Sequence, residues 1–177
     1  MTRLTPVSYI VLGLVAWRGR ATPYELKATA AASVGNLWSV QHAQLYTEPA
    51  RLAEAGLLDE EREQGGRRRR TYTLTEAGRA ALDAWLDAPA SDLGELRSPG
   101  LLQLFFGADP ARLAAVQVDL HERKLAEYEA LHAELGATMP EGVRLALEAG
   151  IGHQREWLRF WGDLAAATAR AELDAGH

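Results

Sequence analysis

Apolar residues Val7, Ile10, Val11, Leu14 and Val15 recur at the spacing of one helix face. Thr5 before Pro6 supplies a cap and a first residue whose φ is already helical, and Arg18-Gly19-Arg20 ends the element. Gly13 interrupts the pattern and is expected to permit close helix packing. Thr22-Pro23 repeats the same start for a short helix with Tyr24, Leu26 and Lys27, stopped by Gly35-Asn36. Ser39 is expected to cap a third helix running through Val40, Ala43, Gln44, Leu45 and Leu52 to Gly56. Within it, Leu45 and Tyr46 read as core residues.

The period then changes. Leu57 to Glu63 reads as a strand, Gln64 to Arg67 as a turn, and Arg68 to Leu74 as a second strand with Tyr72 and Leu74 on one face. Thr75 caps a fourth helix through Ala77, Ala80, Ala81, Ala84 and Trp85. Pro89, Ser91, Asp92, Gly94, Ser98 and Pro99 mark a linker. Leu101 to Phe106 then forms a compact apolar helix closed by Gly107. Asp109-Pro110 opens a long helix to Leu135, Gly136 to Pro140 breaks it, and Glu141 to about Ala171 forms another. The expected division is residues 1–88, a linker at 89–99, and a helical part at 100–177.

Three helices, a two-stranded hairpin and a fourth helix make a mainly α chain whose first part is a winged helix-turn-helix. In such a domain the third helix enters the DNA major groove and the hairpin reaches the backbone beside it. Ser39, Gln41, His42 and Gln44 fall in the first turns of that helix, where hydrogen-bonding side chains can meet base edges and phosphates. Arg67, Arg68, Arg69 and Arg70 sit at or just past the hairpin tip. Lys27 and Tyr72 complete the expected DNA-binding set. Charge sharpens this picture: net charge is −5, but the first 88 residues carry 11 Lys and Arg against 10 Asp and Glu, the rest 8 against 14. The acidic second half would repel a phosphate backbone.

The segment Thr5 to Val15, Tyr24-Glu25-Leu26-Lys27, and Trp38 to Tyr46 with Arg51-Leu52 and Gly56-Leu57-Leu58 resemble PadR-type regulators. Arg67 to Tyr72 followed by Leu74-Thr75-Glu76-Ala77-Gly78 resembles that family's wing and fourth helix. Leu101 to Gly107 and Gly150 to Trp157 are similar to the virulence-activator C-terminal domain often attached to it. The resemblance implies a homodimer held by the C-terminal helices, which suits palindromic operators. Two positions depart from the family pattern. Thr47 and Glu48 stand between the Leu-Tyr pair and Pro49, so Pro49 is expected to kink or end the third helix. Pro23 replaces a glycine common in relatives.

The two long helices cannot bury their own apolar residues, which again asks for a partner hairpin. Trp157, Phe160 and Trp161 share a helix face and are expected to form a dimer core or, alternatively, an effector pocket for a small aromatic or amphipathic molecule. Some PadR-type members bind phenolic acids or cationic drugs, so the resemblance leaves both options open. No cysteine, phosphate-binding glycine loop or HExxH pattern occurs, and the five histidines are scattered. The chain is therefore expected not to be an enzyme and to need no cofactor or metal. No run of about 18 apolar residues occurs and no cleavable signal pattern is apparent, so a cytoplasmic protein without membrane contact is expected. The favoured reading is a DNA-binding transcriptional repressor. Its competitors are a dimeric adaptor using the winged helix for protein contact, separable by salt dependence, and a MarR-type regulator.

Overall fold

The computed structural model describes residues 3–36, 38–63 and 69–175. The chain divides into two compact units, residues 1–93 and 94–177. In the first unit, helix α1 (Pro6–Arg18) begins with a reciprocal capping box between Thr5 and Ser8. Strand β1 (Arg20–Ala21) leads into helix α2 (Pro23–Ala32), which starts with a second capping box between Thr22 and Glu25. A short 3-10 turn (Val34–Asn36) precedes helix α3 (His42–Glu54). Strands β2 (Leu58–Arg62) and β3 (Arg70–Leu74) follow, then helix α4 (Glu76–Asp87), capped by Thr75.

The sheet is antiparallel, in the order β1-β3-β2. Leu58 faces Leu74 and Arg62 faces Arg70 across the hairpin, while Ala21 faces Tyr72 on the other edge. The two-residue strand β1 was not expected; it is too short to leave a period in the sequence. The core gathers Val11, Leu12, Leu14 and Val15 of α1 with Leu26, Leu45, Leu52, Leu58, Tyr72 and Leu82. At about 25 cal/mol per Å² of apolar area removed from water, this cluster is what holds the four helices to the sheet.

Several local expectations are corrected. Helix α3 begins at His42, with Gln41 as a cap whose side chain accepts nothing. Ser39 lies before it, because half-buried Val40 packs on the core and keeps that stretch non-helical. Pro49 does not end α3: one helix runs through to Glu54 with the proline fully buried. Burial between Leu45 and Leu52 compensates for the missing N–H. Gly13 does not mediate a close approach, since a methyl group there would meet open space. Gly78 does: a Cβ would lie 2.0 Å from the Leu57 carbonyl oxygen, where the start of α4 presses on the entry to β2.

The second unit contains helices α5 (Pro99–Phe105), α6 (Pro110–Leu135) and α7 (Glu141–Ala175). Ser98 caps α5 and Asp109 caps α6, each ahead of a proline in the first turn. Helices α6 and α7 form an antiparallel hairpin. Its cross-links are His121 to Gln154 (2.6 Å), Glu129 to Arg155 (2.7 Å) and His132 to Glu148 (3.1 Å). Gly150 gives the Tyr128 ring room, because a Cβ would sit 3.1 Å from it. Leu102, Phe105, Phe106, Val116 and Leu120 remain exposed on this unit. Among the described residues, no helix is long and apolar enough to cross a membrane.

Candidate nucleic-acid interface

Helix α3 has two faces. Leu45, Pro49 and Leu52 point into the core, while His42, Ala43, Gln44, Tyr46 and Thr47 are exposed. Tyr46 is therefore not a core residue; its side chain is 46% exposed on the outward face. The sequence carried the signal, since 43, 46, 47 and 50 is the helical stripe complementary to 45, 49 and 52. Its aromatic type suggests the core, but its position on the helix turns it outward. Ser39 and Gln41 are also exposed, just ahead of α3, and Lys27 on α2 is half-buried.

The tilt of α3 against α1 is fixed by polar contacts. The Ser8 hydroxyl, fully buried on α1, donates to Glu48 Oε1 at 2.6 Å. Arg51 donates through Nε to Glu48 Oε2 at 2.9 Å, pairs with Oε1 as well, and reaches the Ser8 oxygen at 3.0 Å. Burial pushes the Glu48 carboxyl up, but the hydrogen bonds from Arg51 and Ser8 outweigh it and hold the group below the ordinary carboxylate range. Glu48 thus stays charged and joins the two helices.

The hairpin has a second anchored carboxylate. Tyr72 was expected among the DNA-facing residues; instead its ring is buried in the core, 1% exposed, and its hydroxyl donates to Glu60 Oε2 at 2.8 Å. The pairing with β1 and β2 places that side chain on the inner face of the sheet. Arg62 pairs with Glu60, and Arg70 lies 3.8 Å away. Burial raises the Glu60 carboxyl, but Arg62, Tyr72 and the charge of Arg70 bring it net downward. Burial and the bond to Glu60 push the Tyr72 hydroxyl upward. Arg69 pairs with Glu25 of α2 at 3.5 Å, as does Arg18 at 3.6 Å. Arg67 and Arg68 lie outside the described residues. Between α3 and the hairpin runs a shallow groove of about 560 Å³ lined by Ala50, Ala53, Glu54, Glu60, Arg62 and Arg70.

The second unit holds the aromatic cluster. Trp161 is fully buried, Phe160 is 37% exposed, and their rings meet edge to face at 4.9 Å. Trp157 stacks on His121 and donates its Nε1–H to His153 Nε2 at 2.6 Å. The Trp161 Nε1–H is enclosed without a hydrogen-bond partner. Among the described residues, no group of three or more His, Cys, Asp or Glu could hold a metal ion.

A three-helix core with the third helix half exposed, followed by an antiparallel hairpin and a fourth helix, defines the first unit as a winged helix-turn-helix domain. Residues 11–84 match the family model of the transcriptional regulator PadR-like family. The match covers 74 of the 177 residues, all within the first unit, and the family it matches is one of transcriptional regulators. A stretch of 82 residues is 29% identical to the negative transcriptional regulator PadR of Bacillus subtilis, covering 45% of this chain and 44% of that one, so the match spans less than half of the relative. The structure of Bacillus subtilis PadR in complex with operator DNA is similar over 94% of this chain and 99% of that one, with a TM-score of 0.82 at 21% identity. The same protein in complex with p-coumaric acid is similar over 91% and 97%, with a TM-score of 0.76 at 21% identity. The Vibrio cholerae virulence activator AphA is similar over 97% and 99%, with a TM-score of 0.68 at 24% identity. These likenesses establish the fold of the chain.

Proposed function

We propose that the chain is a sequence-specific DNA-binding transcriptional repressor that acts as a homodimer on a palindromic operator. The observation that carries this reading is the exposed face of α3, with His42, Gln44 and Tyr46 turned outward on a helix whose other face is locked in the core. Ser39 and Gln41 would meet the groove edge just before it, with Lys27 nearby on α2, and Arg67 to Arg70 would hold the backbone. The operator-bound Bacillus subtilis relative supports DNA as the partner. Exposed Leu102, Phe105, Phe106, Val116 and Leu120 support self-association, because a monomer would leave this apolar surface in water. Trp157, Phe160 and Trp161 are the place for a small aromatic effector, a reading supported by the relative solved with p-coumaric acid.

The test is binding to duplex DNA from upstream of the chain's own gene, with a scrambled duplex as control, over a salt series. Sequence-preferring binding should weaken on a log–log slope of about −0.9 per phosphate neutralised. Replacing Arg68 and Arg69 together by alanine should flatten that slope. An unchanged slope and affinity would remove the wing from the interface. Equal, salt-insensitive behaviour on both duplexes would turn the winged helix toward a protein partner.

A further inference from the structure

We propose that Glu60 and Glu25 are built-in counter-anions that limit how strongly the wing arginines grip a phosphate backbone; this rests on the DNA-binding reading above. A basic hairpin would be expected to offer free cations to DNA. Here every described arginine of the sheet and the strand entry has a carboxylate partner in the same unit. Arg20 pairs with Glu61 at 3.2 Å, Arg62 and Arg70 with Glu60, and Arg69 with Glu25 at 3.5 Å.

The two sides of these pairs differ in how they are held and in exposure. The Glu60 side chain is 14% exposed and is fixed from below by the Tyr72 hydroxyl at 2.8 Å. Glu25 is fixed by its capping box, accepting from the Thr22 backbone N–H and hydroxyl at 2.8 Å each. The arginine side chains above them are about half exposed: 56% for Arg69 and 48% for Arg70. The anions are anchored and the cations are open to solvent. A phosphate that reaches Arg69 or Arg70 must therefore approach a carboxylate that cannot retreat. Ion pairs of this exposure add little to folding stability, so their placement under the wing has its main consequence at the surface. There they lower the effective charge that displaces counterions from DNA, and leave a larger share of the discrimination to the base-reading face of α3.

The test uses the full chain, a mixed-sequence 24-base-pair duplex, and anisotropy titrations from about 50 to 300 mM salt. Glu60→Gln and Glu25→Gln should each tighten binding about 3- to 10-fold at the lowest salt. Each should also steepen the log–log slope by up to about 0.9, with the difference vanishing at high salt. Glu25→Gln keeps an acceptor for the α2 cap, so it stands as a second reading if Glu60→Gln loosens the hairpin. Asp83→Asn makes the same change of charge on α4 and should alter affinity less than two-fold. Wild-type binding with neither glutamine variant tighter would overturn this inference and leave the DNA reading intact. A gain by Asp83→Asn equal to that of Glu60→Gln would also overturn it, by making net charge sufficient. Wild-type protein that binds neither this duplex nor the upstream one would refute the DNA reading itself, and the inference with it.

Discussion

Replacing Glu48 by glutamine tests whether the α1–α3 contact depends on a charged carboxylate. The change is nearly isosteric and keeps one oxygen for the Ser8 hydroxyl, now 2.6 Å from the carboxylate. It removes the charge that Arg51 grips through two nitrogens, and turns an amide N–H₂ toward the guanidinium. A hydrogen bond to a charged group is worth about 1.5–3 kcal/mol. The Arg51 side chain is 38% exposed, so water competes there and the ion pair counts nearer the surface value of about 0–1 kcal/mol. Adding the weakened bond from fully buried Ser8, the expected loss is about 1–2 kcal/mol at pH 7. The pH dependence follows from the lowered pKa of Glu48. A group whose folded value lies below its unfolded value contributes fully above the unfolded value and loses that contribution as pH falls through the folded one. The gap between wild type and Glu48→Gln should therefore be constant from pH 8 to about 5.5 and close below the ordinary glutamate value of 4.5. Urea denaturation followed by far-ultraviolet circular dichroism at a series of pH values measures it. A gap as wide at pH 3.5 as at pH 7, or no gap at pH 7, would refute the charged clamp.

Three further outcomes are expected. Tyr46→Ala should change stability by less than about 0.5 kcal/mol while weakening operator binding, whereas Leu45→Ala, one residue earlier and 1% exposed, should cost about 2–5 kcal/mol; equal destabilisation in urea would return Tyr46 to the core. Gly78→Ala should cost about 3 kcal/mol, since its methyl group collides with backbone at Leu57 rather than with a movable side chain; a urea midpoint within error of wild type would contradict this. Phe105→Glu, at an 82% exposed position, should leave the secondary structure unchanged and raise the dissociation constant of the proposed dimer at least 10-fold, as expected for an interface anchor; light scattering that shows the same mass as wild type at all concentrations would remove Phe105 from the proposed self-association surface.

The long-range frame was legible because caps and periods are local. Thr5-Pro6, Thr22-Pro23 and Thr75 each start a helix where their residue types say they should. Where sequence and structure differ within the winged domain, the phase of a residue along its element outweighs its type. Ser39 is a good cap by type, yet helix α3 starts three residues later, where Leu45 and Leu52 can turn into the core together. Tyr46 is an aromatic residue on the outward stripe, and Tyr72 is an amphipathic one on the inward face of a strand. Pro49 breaks helices in solution, but here the enclosing core outweighs its missing hydrogen bond. Strand β1 and the Ser8–Glu48–Arg51 contact were beyond reach for a different reason: they join positions about 40 to 50 residues apart, and no local pattern records such a pairing.

The same residue type does opposite work at three positions, and the exposure of the arginine partner decides which. Glu48 sits between two helices with a fully buried hydroxyl as partner, so its charge is realised as rigidity of α3. Glu60 and Glu25 are anchored by Tyr72 and Thr22 but face arginines that remain about half in solvent, so little of their charge is converted into folding free energy. It remains available to the surroundings as field. An acidic β2 strand on a hairpin proposed to face DNA is then not in conflict with that function. It separates two quantities that an all-basic wing would couple: the geometry of α3, set by buried contacts, and the strength of the backbone grip, set by exposed ones. Changes at Glu48 should shift stability and groove fit together. Changes at Glu60 or Glu25 should shift salt dependence while leaving the melting behaviour nearly unmoved.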